Sequence, residues 1–296
     1  MASFIMSSRW HAILFTLAIT LMSLALPPIG IFANAAVALV TLRLGAKQGL
    51  LIAIPVSIGV AIIIMVLKGD ALVGLLSGLI SWLPIILLGA ILERTVSWTQ
   101  VLQYLFLMLV GLIILFHLVV GNPAALWEQW INSALDYLPF ADQKTLLEPT
   151  IKESAIYMTG AIAALMGVHW IVSLMLGRHW QAQLYNPGGF HQELRSIRMG
   201  KPFALLMLIL IGARLLTDNA LLTDIILVGL ALFMFAGLSL IHYVAKARNL
   251  GIGWLIGLYL MLILFTPPVV LLLATLGIMD SQADFRSFIN ERKPNI

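Results

Sequence analysis

The amino-acid sequence predicts an all-α fold, a polytopic membrane bundle of about nine spanning helices, and three observations predict it. The chain is 61% hydrophobic and only 10% charged, against about 25% charged for a soluble domain. Its mean hydropathy is +1.03. Its apolar stretches recur from residue 11 to residue 278, with no polar block between them large enough to fold alone. Such a chain has no material for a water-facing coat, and lipid must be its solvent.

A helix closes its backbone hydrogen bonds internally and needs about 20 apolar residues to cross the ~30 Å hydrocarbon layer. Runs of this kind fall at 10–26, 29–43, 49–67, 71–92, 99–120, 152–177, 203–217, 221–245 and 252–277. The second is short and follows Pro27 and Pro28, and the last is interrupted by Pro267 and Pro268. Either is expected to be re-entrant or kinked, because proline removes a backbone donor, so eight spans stay open beside nine. Arg9 before an apolar run and Ala33, Asn34 and Ala35 after it imitate a secretory signal. More membrane sequence follows at once, so a retained first span is the simpler expectation.

Orientation follows from lysine and arginine, which are retained in short cytoplasmic loops. With the N-terminus inside, the inner loops hold Arg9, Arg43, Lys47, Arg94, Arg178, Arg195, Arg198, Lys201, Lys246 and Arg248. The outer ones hold Lys68, Lys144 and Lys152. The net charge of +4 is thus dispersed among loops and forms no continuous basic face, which argues against nucleic acid. The chain has no cysteine, which excludes disulfides, thiolate metal sites and cysteine nucleophiles.

Two polar connections carry structure of their own. The outer one, 121–153, places Leu126, Trp130, Ile131, Ala134, Leu135 and Leu138 on one helical face with polar residues such as Glu128, Asn132 and Asp136 opposite. It should lie along the interface, with Trp127, Trp130 and Tyr137 at headgroup depth. The inner one, 178–201, has a turn at Asn186, Pro187, Gly188 and Gly189, then Phe190, Leu194 and Ile197 at helical spacing. Arg195, Arg198 and Lys201 would face anionic lipid or a protein partner.

No phosphate-cradling glycine loop followed by lysine and serine or threonine is present, so no nucleotide and no other cofactor is expected. Gly251, Gly253 and Gly257 read as helix-packing glycines. His117, His169 and His242 fall in or near spans, where ionisable groups are costly. A neutral histidine bonded to a neighbouring helix is the plainer reading of each, proton or ligand handling the sharper one. Arg214 and Asp218 stand four apart, as an interface ion pair or an anion site. Ser239 with His169 could be conscripted for intramembrane proteolysis, but such pairs are common by chance, and no enzymatic activity is expected.

The segments Asn186 to Phe190 (NPGGF), Gly237 to Tyr243 (GLSLIHY) with Lys246 and Arg248, and Gly277 to Arg286 (GIMDSQADFR) resemble markers of the YybS-like family of bacterial membrane proteins. That family is similar in layout to S components of energy-coupling-factor transporters, and no catalytic residue comes with the resemblance. It implies a bacterial inner-membrane location and a six-span bundle over 1–177. A basic cytoplasmic connection over 178–202, additional helices over 203–278 and a polar tail over 279–296 would follow. It further implies an outward-opening pocket or lid drawn from Asn34, Asp70, His117, Trp127, Trp130 and Tyr157. The paired alanines with which S components dock their partner are missing from 10–26, and the spans after residue 202 have no counterpart. The expected function is an S-component-like subunit that binds or transports a small molecule. The alternative is a non-transport scaffold or assembly factor that recruits a partner through its basic loop.

Overall fold

The computed structural model describes residues 1–137 and 144–291. Among the described residues it is 89% helical with no strand. Leu138, Asp142, Arg292 and Lys293, assigned above to the outer connection or the tail, lie outside the described residues. The helices are α1 (Ala2–Ser7), α2 (Arg9–Ser23), α3 (Gly30–Leu44), α4 (Ala46–Lys68), α5 (Ala71–Thr95), α6 (Trp98–Val120) and α7 (Pro123–Leu135). They continue with α8 (Lys144–Tyr185), α9 (Gly189–Leu194), α10 (Lys201–Leu216), α11 (Ala220–Ala247), α12 (Ile252–Leu264), α13 (Thr266–Ala283) and α14 (Phe285–Glu291).

Among the described residues, six segments are long and apolar enough to cross a bilayer: Pro27–Leu44, Ala46–Lys68, Ala71–Thr95, Trp98–Val120, Leu146–Tyr185 and Ala220–Ala247. Outward-facing Val66, Leu118 and Leu216 are more than three-quarters exposed, an arrangement for a membrane-embedded protein and costly in water. The other apolar runs give shorter helices of 15 residues in α2, 16 in α10 and 13 in α12. The last expected span breaks at Phe265. Pro267 and Pro268 then open α13, where the missing donors are tolerated because a helix's first amides have no internal partner.

The chain forms two compact units, residues 1–101 with 168–196 and residues 102–167 with 197–296. Residues 102–167 thus group with the later helices. The cause is side-chain and backbone packing within the second unit. A Cβ at Gly167 would fall on Leu109 and lie near Leu232, and one at Gly160 would meet the Asp224 backbone.

In the first unit α3 is the central helix, and every residue from Ala33 to Leu42 is buried. Gly45 leaves it at φ 87°. The α4–α5 hairpin turns through Gly69 at φ 76°, a left-handed conformation open to glycine. Asp70 then caps α5, accepting from the Val73 amide at 3.1 Å. Gly74 and Gly78 bring α5 against α4, since a Cβ at either position would strike Ala61 or Ser57.

The expected turn at Asn186–Gly189 is present, with Gly188 at φ 89°. However, α8 does not end near residue 177. It continues to Tyr185 for 42 residues in all, roughly 60 Å at the helical rise, because no breaker stands between Arg178 and Tyr185. Helix α13 runs to Ala283, α14 follows, and Asp280 and Arg286 are buried.

In the second unit α11 is the central helix. It meets α13 backbone to backbone: a Cβ at Gly237 would overlap the Leu273 carbonyl, and one at Gly277 the Phe233 carbonyl. These two pairings run in opposite directions along the chain, so the helices cross antiparallel. Gly251, Gly253 and Gly257 do not pack in this way; a Cβ at each would meet open space. They line an apolar groove of about 780 Å³ instead.

Replacing Gly277 by leucine should therefore destabilise the protein by about 1–3 kcal/mol. Gly253→Ala, with room for its methyl group, should be neutral or gain up to about 1 kcal/mol. Thermal melting of the two variants in detergent checks the contrast, and equal losses would contradict it.

Candidate functional site

The first unit encloses a cavity of about 260 Å³. Its wall is built from the last turns of α2, the first turns of α3, the second half of α4, the first half of α5 and one residue of α8. Its polar side chains are Thr20, Ser23, Asn34, Ser77, Ser81, Trp82 and His169, and no lining residue is an aspartate, glutamate, lysine or arginine. Local sequence explains the placement. Thr20 and Ser23 stand three apart on α2, and Ser77 and Ser81 four apart on α5, so each pair shares a helix face.

The hydroxyls of Thr20, Ser23 and Ser77 each donate to a carbonyl on the preceding turn, at 2.7, 2.6 and 2.8 Å. Their oxygens are left as acceptors. Asn34, 3% exposed, donates from Nδ2 to His169 Nε2 at 2.8 Å. That bond makes Nε2 the acceptor, so a neutral His169 ring carries its proton on Nδ1. The Trp82 side chain is 2% exposed, and its indole N–H has no hydrogen-bond partner. Buried polar groups are normally paired, and the other unpartnered buried atoms among the described residues are the Thr16 and Ser57 hydroxyls on α2 and α4 and Asp280 Oδ1 on α13.

The remaining expected pocket residues have other surroundings. Asp70, in the same unit, is the exposed cap of α5 and does not line the cavity. His117, Trp127, Trp130 and Tyr157 belong to the second unit. There Trp127 donates from Nε1 to Thr159 Oγ1 at 2.8 Å, and its ring meets those of Phe116 and Trp130. Trp130 and Tyr157 are 66% and 43% exposed. His117 Nε2 lies 2.7 Å from Asp224 Oδ2, and the other Asp224 oxygen accepts from the Gly160 amide at 2.8 Å. Average hydropathy passes over Asp224, although a single carboxylate in a long apolar run is a signal by itself.

Arg214 Nη2 is 2.7 Å from Asp218 Oδ1, and its Nε donates to Thr223 Oγ1 at 2.8 Å. His242 Nε2 stands 2.9 Å from the Tyr259 hydroxyl. Ser239 accepts from Arg286, and His169 is engaged by Asn34.

The basic connection is largely tied down by acids. Arg178 forks onto Glu193, with Nε to Oε2 at 3.0 Å and Nη2 to Oε1 at 2.6 Å. Glu193 also accepts from the Trp98 indole at 3.1 Å. Arg198 pairs with Asp284 at 2.5 Å. Arg195 ends α9 and Lys201 opens α10. Buried Arg286 donates to Asp280 Oδ2 at 3.0 Å and to the Ile197 carbonyl at 2.8 Å. The Arg198 guanidinium holds the Asp284 carboxyl below its ordinary value. That contact is therefore present above the ordinary carboxylate range and is lost only as pH falls through the lowered value.

Asp280→Ala should cost about 3–5 kcal/mol by removing the buried carboxylate that Arg286 and Arg198 share. Asp280→Leu combined with Arg286→Met should recover much of that loss. Denaturation of the single and double variants in detergent reads the difference, and an additive double variant would contradict the pairing.

In comparisons with known proteins the chain matches no family model, no curated protein and no solved structure.

Proposed function

We propose that this chain is a membrane protein that binds a small, uncharged polar solute in the cavity of its first unit, as an S-component-like binding or transport subunit. The observation that carries the reading is the composition of the cavity wall. Hydroxyl oxygens, an amide and an imidazole line a region bounded by apolar helices. Ligand sites combine an enclosing shape with a few polar groups that fix orientation. With no carboxylate, ammonium or guanidinium in the wall, an ionic ligand would lose its hydration without a counter-charge, which selects a neutral solute. The YybS-like resemblance is consistent with this reading, since it implies a solute pocket that includes Asn34.

The topology that suits it has the N-terminus in the cytoplasm of a bacterial inner membrane. Helices α2 and α10 would add to the six long segments, and α12 with α13 would form a ninth, broken span; without a crossing there, eight remain. The cavity then lies in the outer half, near the α2–α3 connection and the α4–α5 turn. The competing scaffold reading loses support from the Arg178–Glu193 and Arg198–Asp284 pairs, which occupy two of its basic contacts.

Native mass spectrometry of the purified protein should reveal a retained neutral small molecule. Asn34→Ala should weaken its retention about tenfold, the equivalent of one hydrogen bond of roughly 1.4 kcal/mol. Trp130→Ala should leave it unchanged. Retention lost in Trp130→Ala but kept in Asn34→Ala would overturn the cavity assignment, and a stoichiometric protein partner without solute would favour the scaffold.

A cysteine at exposed Ser133 should be labelled by an impermeant maleimide from outside intact cells, and one at exposed Ser196 only after permeabilisation. The reverse pattern would invert the orientation.

A further inference from the structure

The second unit contains an ionisable pair that the solute cavity does not use. Asp224 lies in the first turns of α11, in a segment apolar enough to span a bilayer, and its side chain is 1% exposed. A buried carboxylate in such a place is expensive unless paired. Two elements are built to hold it. Helix α8 approaches so closely at Gly160 that a Cβ there would meet the Asp224 Cα, and this approach lets the Gly160 amide donate to Oδ1 at 2.8 Å. Helix α6 supplies His117, whose Nε2 is 2.7 Å from Oδ2.

With Asp224 ionised, His117 Nε2 carries the donated proton and its Nδ1 lone pair is free to accept another. The hydrogen bond through Nε2 is the only one its ring makes among the described residues. The His117 side chain is also 17% exposed where Asp224 is closed off, so the histidine is the accessible member of the pair. Charged groups on the surrounding elements are engaged with one another. On α10, Arg214 bonds Asp218 and Thr223; on α8, Glu148 and Lys152 pair at 2.8 Å, and Glu153 is exposed. Toward Asp224 itself, α8 presents a backbone amide, and nearby Trp127 of α7 is bonded to Thr159. A metal ion is a poorer occupant, because no group of three or more histidine, aspartate or glutamate side chains is gathered among the described residues.

We propose that His117 and Asp224 form a proton-binding site. The neutral imidazole and the carboxylate together carry a charge of −1; one proton taken from water onto His117 Nδ1 gives an imidazolium–carboxylate pair of zero net charge. No bond other than N–H forms, and release reverses the step. Taking up the proton removes a net charge from an apolar span. The pair is thus suited to couple a conformational change of the second unit to proton concentration on one side of the membrane.

The test uses full-length protein in lipid nanodiscs with ¹⁵N-labelled histidine, the His117 signals being assigned by their loss in His117→Gln. Acidification from about pH 10 to 4, a range that brackets the ordinary histidine value, should convert His117 from neutral to doubly protonated. At a pH where half of His117 is doubly protonated in the native protein, Asp224→Asn should lower that fraction about tenfold or more, since an adjacent carboxylate favours the cation. A His117 that stays neutral throughout, or that responds identically in Asp224→Asn, overturns the assignment. Should Asp224→Asn fail to fold, the native titration decides alone. Neither residue lines the first-unit cavity, so this outcome and the fate of the solute reading are separable.

Discussion

Hydrocarbon offers a polar group no water to bond to, and that constraint accounts for most of what is specific in this structure. Helices satisfy their own backbones, so the fold can be made of little else. Side chains must find partners across helices, and finding them requires the helices to come close. Small residues make this possible. Gly160 lets an α8 amide reach Asp224, Gly237 and Gly277 seat α11 on α13, and Gly74 and Gly78 seat α5 on α4. With little hydrophobic force between helices in lipid, such approaches and the hydrogen bonds they permit hold the bundle together.

The same constraint separates structural polar clusters from those with capacity to spare. Around Glu193 the oxygens are filled by Arg178 and Trp98, which fixes the connection between α8 and α9 to the start of α6. Around Asp280 and Arg286 the bonds reach Ile197 and Ser239 and clamp the C-terminal helices to the segment before α10. The first-unit cavity differs: its hydroxyls leave acceptor oxygens, and the Trp82 indole has no partner. The His117–Asp224 pair differs too, because a ring nitrogen remains for one more proton. In both places bonding capacity is left over, as it also is at Asp280 Oδ1 among the described residues.

Several elements were legible because their cause is local. Periodicity gives the amphipathic α7, and the glycines and proline of Asn186–Gly189 give the turn before α9. Asn34 was expected at a pocket through a resemblance, but its hydrogen-bond partner His169 lies 135 positions away, and no sequence spacing connects them. Asp70 was read as a pocket residue and is a helix cap, a role signalled by its place before the α5 run. Gly251, Gly253 and Gly257 have the spacing of packing glycines and meet open space, because spacing shows which face they share and not whether another helix lies on it.

The sequence by itself determined the solvent and the secondary structure: a chain so apolar and so poor in charge must be helical and in lipid. Only the tertiary structure decided which helices group together, that 102–167 joins the later part of the chain, and which polar residues share a cavity or a proton. The reason is physical. Burial of apolar surface and closure of backbone hydrogen bonds are properties of a segment, whereas a hydrogen bond between helices depends on axial register and separation. Backbone contacts at a few glycines set both in three dimensions.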